Sequence, residues 1–138
     1  MGSTESRQSF YIGIKGIIQS PDGVVILEDA ERGKWELPGG RVDQGQDLAE
    51  AFRREVSEEI TGASFETFGP TVHADVGDFI VENDHRLLLV FRVAEVALPE
   101  VIQISHEHRA HAMVQPTTLG NFELYDSDRT ALEIYFSS

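Results

Sequence analysis

The chain has 138 residues and no Cys, and its 11 Lys and Arg against 24 Asp and Glu give a formal net charge of −13. Without Cys there is no disulfide framework, thiolate nucleophile or Cys-based metal site. The acidity argues against binding a nucleic-acid backbone, which requires clustered Lys and Arg. A phosphorylated small molecule stays compatible with this charge if a divalent cation lies between the two negative partners.

Length and hydropathy indicate one folded domain. Hydrophobic residues make up 41% of the chain, which is enough for a core. Apolar stretches such as Leu87–Phe91 fall far short of the roughly 20 residues that a membrane helix needs, and Met1–Gln8 lacks the layout of a signal peptide. We therefore expect a cytoplasmic protein with no membrane partner, a flexible terminus over 1–9 and a single domain over 10–138.

The first third of the chain is predicted to be strands and turns. Ile-rich residues predict a strand over Phe10–Gln19, and the Pro and Gly of residues 20–23 predict a tight turn. Val24–Leu27 would then complete a hairpin. After a charged loop, Trp35–Leu37 is a short apolar run, and the segment Pro38 to Gly40 interrupts regular structure.

A helix is predicted over Asp47–Ile60, because Leu48, Phe52, Val56 and Ile60 recur at helical spacing, and Gly62 suits its end. Further strands are expected over Ser64–Phe68, Thr71–Val76, Leu87–Val96 and Ala110–Val114, with a turn around Asp84 before the third of them. A helical turn over Thr117–Asn121 and a final helix from Asp126 or Ser127 to about Phe136 complete the chain. This order of elements predicts an α+β fold with a mixed sheet.

Three carboxylates crowd one side of the central helix. At about 100° of rotation per residue, Glu59 projects inside the edge of the apolar stripe, and Glu55 and Glu58 lie on its flank. Carboxylates that are partly buried together repel one another and take up protons. A cation would remove both penalties, and oxygen-only ligands favour a hard ion such as Mg²⁺ or Mn²⁺. The alternative is a solvated acidic face.

These residues resemble the box of the Nudix (MutT-like) hydrolases. Gly40, Arg54, Glu55, Val56, Glu58 and Glu59 stand at the spacing of that box, and residues 35–40 are similar to the segment that leads into it. Two positions depart from the pattern: Gln46 stands where the box has Glu, and Thr61 stands where it has Gly, with Gly62 one residue later. The first departure removes a negative charge near the start of the helix.

The resemblance implies a fold, a reaction and a site. The fold would be an α/β/α sandwich, and the reaction would be metal-dependent hydrolysis of the diphosphate bond in a nucleoside diphosphate linked to another group. It implies that Glu55, Glu58, Glu59 and the carbonyl of Gly39 bind Mg²⁺, and that Arg54 orients a box glutamate. Family members often form homodimers, so a dimer is a further expectation.

Other candidates have a competing structural interpretation. The general base would be Glu58, Glu59 or Glu107, although Glu107 could equally be a solvated loop residue. His106, His108 and His111 lack metal-site spacing, so we expect exposed loop histidines. Phe10 and Trp35 could stack on a base, with a core position favoured for Trp35, and the cations that could contact phosphate are otherwise expected at the surface: Lys34, Arg41 and Arg86.

Two further functional classes stay open. Gln46 suggests a catalytically weakened Nudix-fold domain that binds or senses nucleotides, whereas the intact Glu55, Glu58 and Glu59 favour an enzyme. The remaining alternative is an acidic globular protein whose resemblance is accidental.

Overall fold

The computed structural model describes residues 6–138, apart from the side chains of residues 78–81. Part of the terminus expected to be flexible, residues 1–5, lies outside the described residues. The strands are β1 (Phe10–Ile17), β2 (Gln19–Ser20), β3 (Gly23–Asp29), β4 (Trp35–Glu36), β5 (Gly39–Arg41), β6 (Ser64–Glu82), β7 (His85–Ala97) and β8 (His108–Val114). The helices are α1 (Leu48–Glu59) and α2 (Asp126–Ser137), with a single 3₁₀ turn at Leu119–Asn121.

The strands form one mixed and one antiparallel sheet. The mixed sheet has the order β5-β1-β7-β6, with β1 parallel to β7. In the second sheet β2, β4 and β8 all pair antiparallel with β3. The expected hairpin between Phe10–Gln19 and Val24–Leu27 is therefore wrong for most of its length. Strands β5 and β7 occupy the two edges of β1, and within the predicted first strand only Gln19, in β2, is paired with a residue of β3.

The helices lie on opposite sides of the strands. Ile14 of β1 and Val25 of β3 belong to one core cluster, which includes Phe52 of α1. The alternate residues Ile17 and Val24 belong to a second cluster, which includes Leu132 of α2. Since successive side chains of a strand point to opposite faces, this division confirms the α+β class and the α/β/α sandwich.

The predicted helices are confirmed, with small changes at their ends. Asp47 caps α1, its Oδ1 accepting from the Glu50 N–H at 2.8 Å, and Gly62 follows the helix with φ +84°. At α2 the expected side-chain cap from Asp126 or Ser127 is wrong, because Tyr125 occupies the cap position without a side-chain hydrogen bond. Within the described residues, neither helix is long and apolar enough to cross a membrane.

The later strands are longer than the sequence predicts. The two strands expected over Ser64–Phe68 and Thr71–Val76 are one strand, β6, which pairs with β7 through several register shifts. These irregularities let the ladder continue past residues that would otherwise end it. The turn expected around Asp84 is confirmed, with positive φ at Asn83 and Asp84. Strand β8 begins at His108, two residues before the predicted start.

Candidate functional site

An acidic cavity of about 810 Å³ lies beside α1 and β5. Its described lining contains more carboxylates than cations. The carboxylates are Asp29, Glu31, Glu36, Asp43, Glu55, Glu59 and Glu107, and the cations are Lys15, Arg41 and Arg54, with His108 beside them. A polyanion entering this cavity would be repelled unless positive charge accompanied it, so the lining suits a ligand that binds together with a metal cation.

Glu59 lies at the end of α1, buried under the glycines of β5. Its side chain is only 8% exposed, and its Oε1 accepts from the Gly39 N–H at 2.8 Å. Burial raises the pKa of Glu59 to about 8, against the smaller opposing effects of Lys15 and the Gly39 hydrogen bond. Removing a carboxylate from water favours its neutral form, so a bound cation would stabilise the charged form of Glu59.

Glu55 packs against the second glycine of β5. A Cβ on Gly40 would collide with the Glu55 carboxyl group, with Oε2 only 2.6 Å away. Arg54 pairs with Glu55 Oε1 at 3.2 Å and with Asp43 Oδ2 at 3.2 Å. Burial raises the pKa of Glu55, with further contributions from Glu58 and Glu107, whereas Arg54 opposes the increase. Arg54 thus lies where it can orient a box glutamate.

The third expected carboxylate is placed differently. Glu58 is exposed and lies outside the described lining of the cavity. Among the described residues, no three His, Asp or Glu side chains already form a group that could hold a metal ion. The donor set still fits a hard cation, because Glu55 and Glu59 supply oxygen ligands beside the Gly39 backbone and burial disfavours their charge.

Gln46, the box position that departs from Glu, closes the turn before α1. Its Oε1 accepts from the Asp43 N–H at 3.0 Å, and its own N–H donates to the Asp43 carbonyl at 3.0 Å. Gln46 is absent from the described lining of the cavity. It therefore orders the loop, a role that needs an acceptor oxygen rather than a charge.

Sequence reasoning missed a buried polar cluster, which we define as Lys15, Glu36, His108 and Glu59. Lys15 Nζ lies 2.9 Å from Glu36 Oε1 and donates to the Leu37 carbonyl at 3.0 Å. His108 Nε2 lies 3.0 Å from Glu36 Oε2 and 3.9 Å from Glu59 Oε2. The one available signal was a lysine in the middle of an otherwise uncharged strand, β1.

The charges of the buried polar cluster support one another. Burial alone would lower the pKa of Lys15, but Glu36, Asp128 and Glu59 outweigh it and raise that pKa. Burial would likewise raise the pKa of Glu36, but Lys15 and His108 lower it to about 2. Burial would lower the pKa of His108, but the hydrogen bond to Glu36 and the charges of Glu59 and Glu36 together outweigh it and raise that pKa. A charged Glu36 therefore lies between the Lys15 ammonium group and the His108 imidazole.

The histidine expectation is partly wrong. His106 and His111 are exposed as expected, but His108 is only 6% exposed, because β8 begins there and turns its side chain towards Glu36. Its Nδ1 is buried without a hydrogen-bond partner. Glu107 is exposed and lines the cavity.

The remaining aromatic and cationic candidates lie in different environments. Trp35 packs in the core cluster on the α2 side, edge-on to Phe122, as expected. Phe10 is 38% exposed and is absent from the described lining of the acidic cavity, although it lines a neighbouring cavity that shares Arg41 and Asp43 with it. Of the three cations, only Arg41 lines that cavity; Lys34 lies over the Tyr125 ring, and Arg86 donates to the Gly77 carbonyl.

Comparison with known proteins defines the class. The family model described as NUDIX domain matches residues 12–133. The chain therefore belongs to the Nudix family, whose members are hydrolases that act on phosphoric anhydrides, generally with divalent cations and on small nucleotides.

Three relatives illustrate the match. The chain is 28% identical over 109 residues to nucleoside triphosphatase NudI of Escherichia coli (strain SE11), which covers 74% of this chain and 76% of that protein. It is 36% identical over 52 residues to 8-oxo-dGDP phosphatase NUDT18 of Homo sapiens, covering 36% of this chain but only 16% of the human protein. The crystal structure of the MutT protein from Methanosarcina mazei Go1 matches with a TM-score of 0.76 at 20% identity, covering 96% of each chain. This last likeness shows the fold.

Proposed function

We propose that this protein is a Mg²⁺-dependent nucleotide pyrophosphohydrolase that cleaves the diphosphate bond of a nucleoside diphosphate linked to another group. The observation that carries the proposal is the pairing of Glu55 and Glu59 of α1 with the glycines of β5 in one acidic cavity. That arrangement supplies oxygen ligands. Because the cavity is acidic, a polyphosphate can enter it only together with a cation.

Each site residue receives a role. Glu55, Glu58, Glu59 and the carbonyl of Gly39 would hold a divalent cation, which would neutralise the diphosphate and lower the pKa of a water molecule. Arg54 holds Glu55 in place through their 3.2 Å ion pair. The proton of the attacking water passes to Glu58, Glu59 or Glu107, of which Glu59 and Glu107 line the cavity. Glu58 is exposed and lies outside the described lining of the cavity.

The test is hydrolysis of a substrate panel. Nucleoside triphosphates and oxidised nucleotides come first, because relatives are named for these activities, followed by nucleotide sugars and ADP-ribose. We expect Mg²⁺-dependent release of phosphate, pyrophosphate or nucleoside monophosphate, lost with a chelator and in Glu59→Gln. Glu133→Gln, at an exposed glutamate of α2, is the matched control and should keep full activity.

A second candidate function rests on Gln46. A domain that binds nucleotides without turnover would give calorimetric binding but no product from any substrate. That result would contradict the enzyme and support the weakened domain. Unchanged turnover in Glu59→Gln would instead contradict the assigned site.

A further inference from the structure

The carboxylate of Glu36 is held at both oxygens. Lys15 Nζ lies 2.9 Å from Oε1, and His108 Nε2 lies 3.0 Å from Oε2. Charge-assisted hydrogen bonds of this length are the strong class in proteins, and Lys15 is itself fixed by the Leu37 carbonyl at 3.0 Å. Glu36 is therefore immobilised, and so is the imidazole that bonds to it.

The same imidazole borders Glu59. The His108 side chain is 3% exposed, and its Nε2 lies 3.9 Å from Glu59 Oε2. The other oxygen of Glu59 accepts from the Gly39 N–H. One oxygen of Glu59 is thus set by the backbone of β5, and the other faces an imidazole that Glu36 holds in place.

We propose that Glu36 is a positioning residue that acts through His108 to orient the free oxygen of Glu59. The inference rests on the proposed function, since that function gives Glu59 its role. Glu36 need not touch the substrate: it acts as the residues behind metal ligands do elsewhere, by fixing the ligand's geometry.

Glu36→Gln tests the proposal with little change of shape. The amide oxygen can still accept from Lys15, which has only donors, so the amide NH₂ must face His108 Nε2. His108 can then no longer carry a proton on Nε2. We expect imidazole ¹⁵N–¹H spectra to show loss of the Nε2 proton of His108 in this variant.

The functional readouts are kcat, KM and Mn²⁺ affinity. Loss of a residue behind a metal ligand typically costs about 10- to 100-fold in activity or metal affinity, so we expect kcat to fall by that factor. KM should stay within about threefold. Electron paramagnetic resonance should show weaker Mn²⁺ binding at the site that the Glu59→Gln substitution abolishes. A purely structural role would not separate kcat from KM in this way.

Glu28→Gln is the matched control. Glu28 lies on β3 opposite Trp35, the neighbour of Glu36, and pairs with Arg109 at 3.2 Å. It lies outside the described lining of the cavity. This variant should leave the His108 spectrum, kcat and Mn²⁺ affinity unchanged.

The outcomes separate the inference from the proposed function. Wild-type kcat and Mn²⁺ affinity in Glu36→Gln, or a retained Nε2 proton on His108, would overturn the inference. If the wild-type protein cleaves no substrate, the proposed function fails, and the spectrum and Mn²⁺ affinity still decide the inference. If Glu36→Gln does not fold by circular dichroism, His108→Leu replaces it, with His111→Leu on the exposed face of β8 as its control.

Discussion

At Gln46 the chain carries an amide where the Nudix box has a carboxylate. The amide oxygen accepts from Asp43 and thereby closes the turn before α1. A glutamate could make the same hydrogen bond, and a charge there would lie outside the described lining of the cavity. The departure therefore preserves the ordering role of this position.

Gln46→Glu should change kcat by less than about threefold, because it alters neither the turn nor the cavity. Gln46→Leu, which removes the acceptor, should lower the free energy of unfolding by about 1 kcal/mol. Steady-state kinetics and urea denaturation measure the two effects. An activation of tenfold or more in Gln46→Glu would show instead that the missing carboxylate limits turnover.

At the scale of elements, β5 is confined between β1 and α1. Gly39 has φ +144°, and a Cβ there would strike the carbonyl oxygen of Ile14. Gly40 has no positive φ, and the nearest atoms that a Cβ there would strike belong to the Glu55 side chain rather than to the backbone. The two glycines therefore have different roles. Gly39 allows the backbone conformation and its close approach to β1, and Gly40 leaves space for the Glu55 carboxylate.

Alanine substitutions should separate these two effects. Gly40→Ala should displace Glu55 and lower kcat by at least about tenfold, while the free energy of unfolding changes by less than about 1 kcal/mol. Gly39→Ala should cost more than about 3 kcal/mol, because a positive φ and a backbone collision combine. Denaturation curves and kinetics on both variants check this. Equal stability losses would contradict the assignment.

Helix α2 is joined to the loop before β5 by one buried carboxylate. Asp128 Oδ2 accepts from the Leu37 N–H at 2.8 Å, and the residue is 2% exposed. Burial raises the pKa of Asp128 to about 6, against the opposing charge of Lys15, and Glu36 adds to the increase. The folded protein therefore binds this proton more tightly than the unfolded chain does.

Asp128→Asn should remove part of the pH dependence of the free energy of unfolding. Because the folded pKa is raised, the stabilising contribution is complete below the ordinary value of 3.8 and is lost as the pH rises through about 6. The unfolding free energy of wild type minus that of Asp128→Asn should thus fall by about 2 kcal/mol between pH 4 and pH 7. Chemical denaturation across this range measures the difference, and a constant difference would contradict the raised pKa.

At the scale of the whole molecule, local patterns predicted much of the fold. The helical spacing of Leu48, Phe52 and Val56 placed α1, and the apolar runs placed the main strands. The split into two sheets and the unbroken course of β6 were not predictable locally. Sheet membership depends on which edges of β1 are occupied by β5 and β7, and those partners are distant in sequence.

The candidate site was predictable only where its residues share one segment. Glu55 and Glu59 lie within one and a half turns of α1, so their helical spacing predicted that they share the site. Glu58, from the same segment, is exposed and outside the described lining of the cavity. The Glu36 to His108 contact joins residues 72 positions apart, and no periodicity reveals such a pair. His108 was misplaced because its burial follows from pairing of β8 with β3. The homodimer stays a prediction.

Because its net charge is −13, the protein requires a cation to bind a polyphosphate. An acidic protein with an acidic cavity can hold a polyphosphate only with a cation between them. The cation is therefore a condition for substrate binding as well as for chemistry.

Hydrolysis in H₂¹⁸O tests this central claim most directly. With Mg²⁺ and the best substrate of the panel, wild-type protein should place one ¹⁸O atom in a phosphate-containing product, as read by ³¹P nuclear magnetic resonance or mass spectrometry. The label should be absent when the metal is removed and in Glu59→Gln. Incorporation that persists without any divalent cation, or cleavage that leaves every phosphate product unlabelled, would contradict the account.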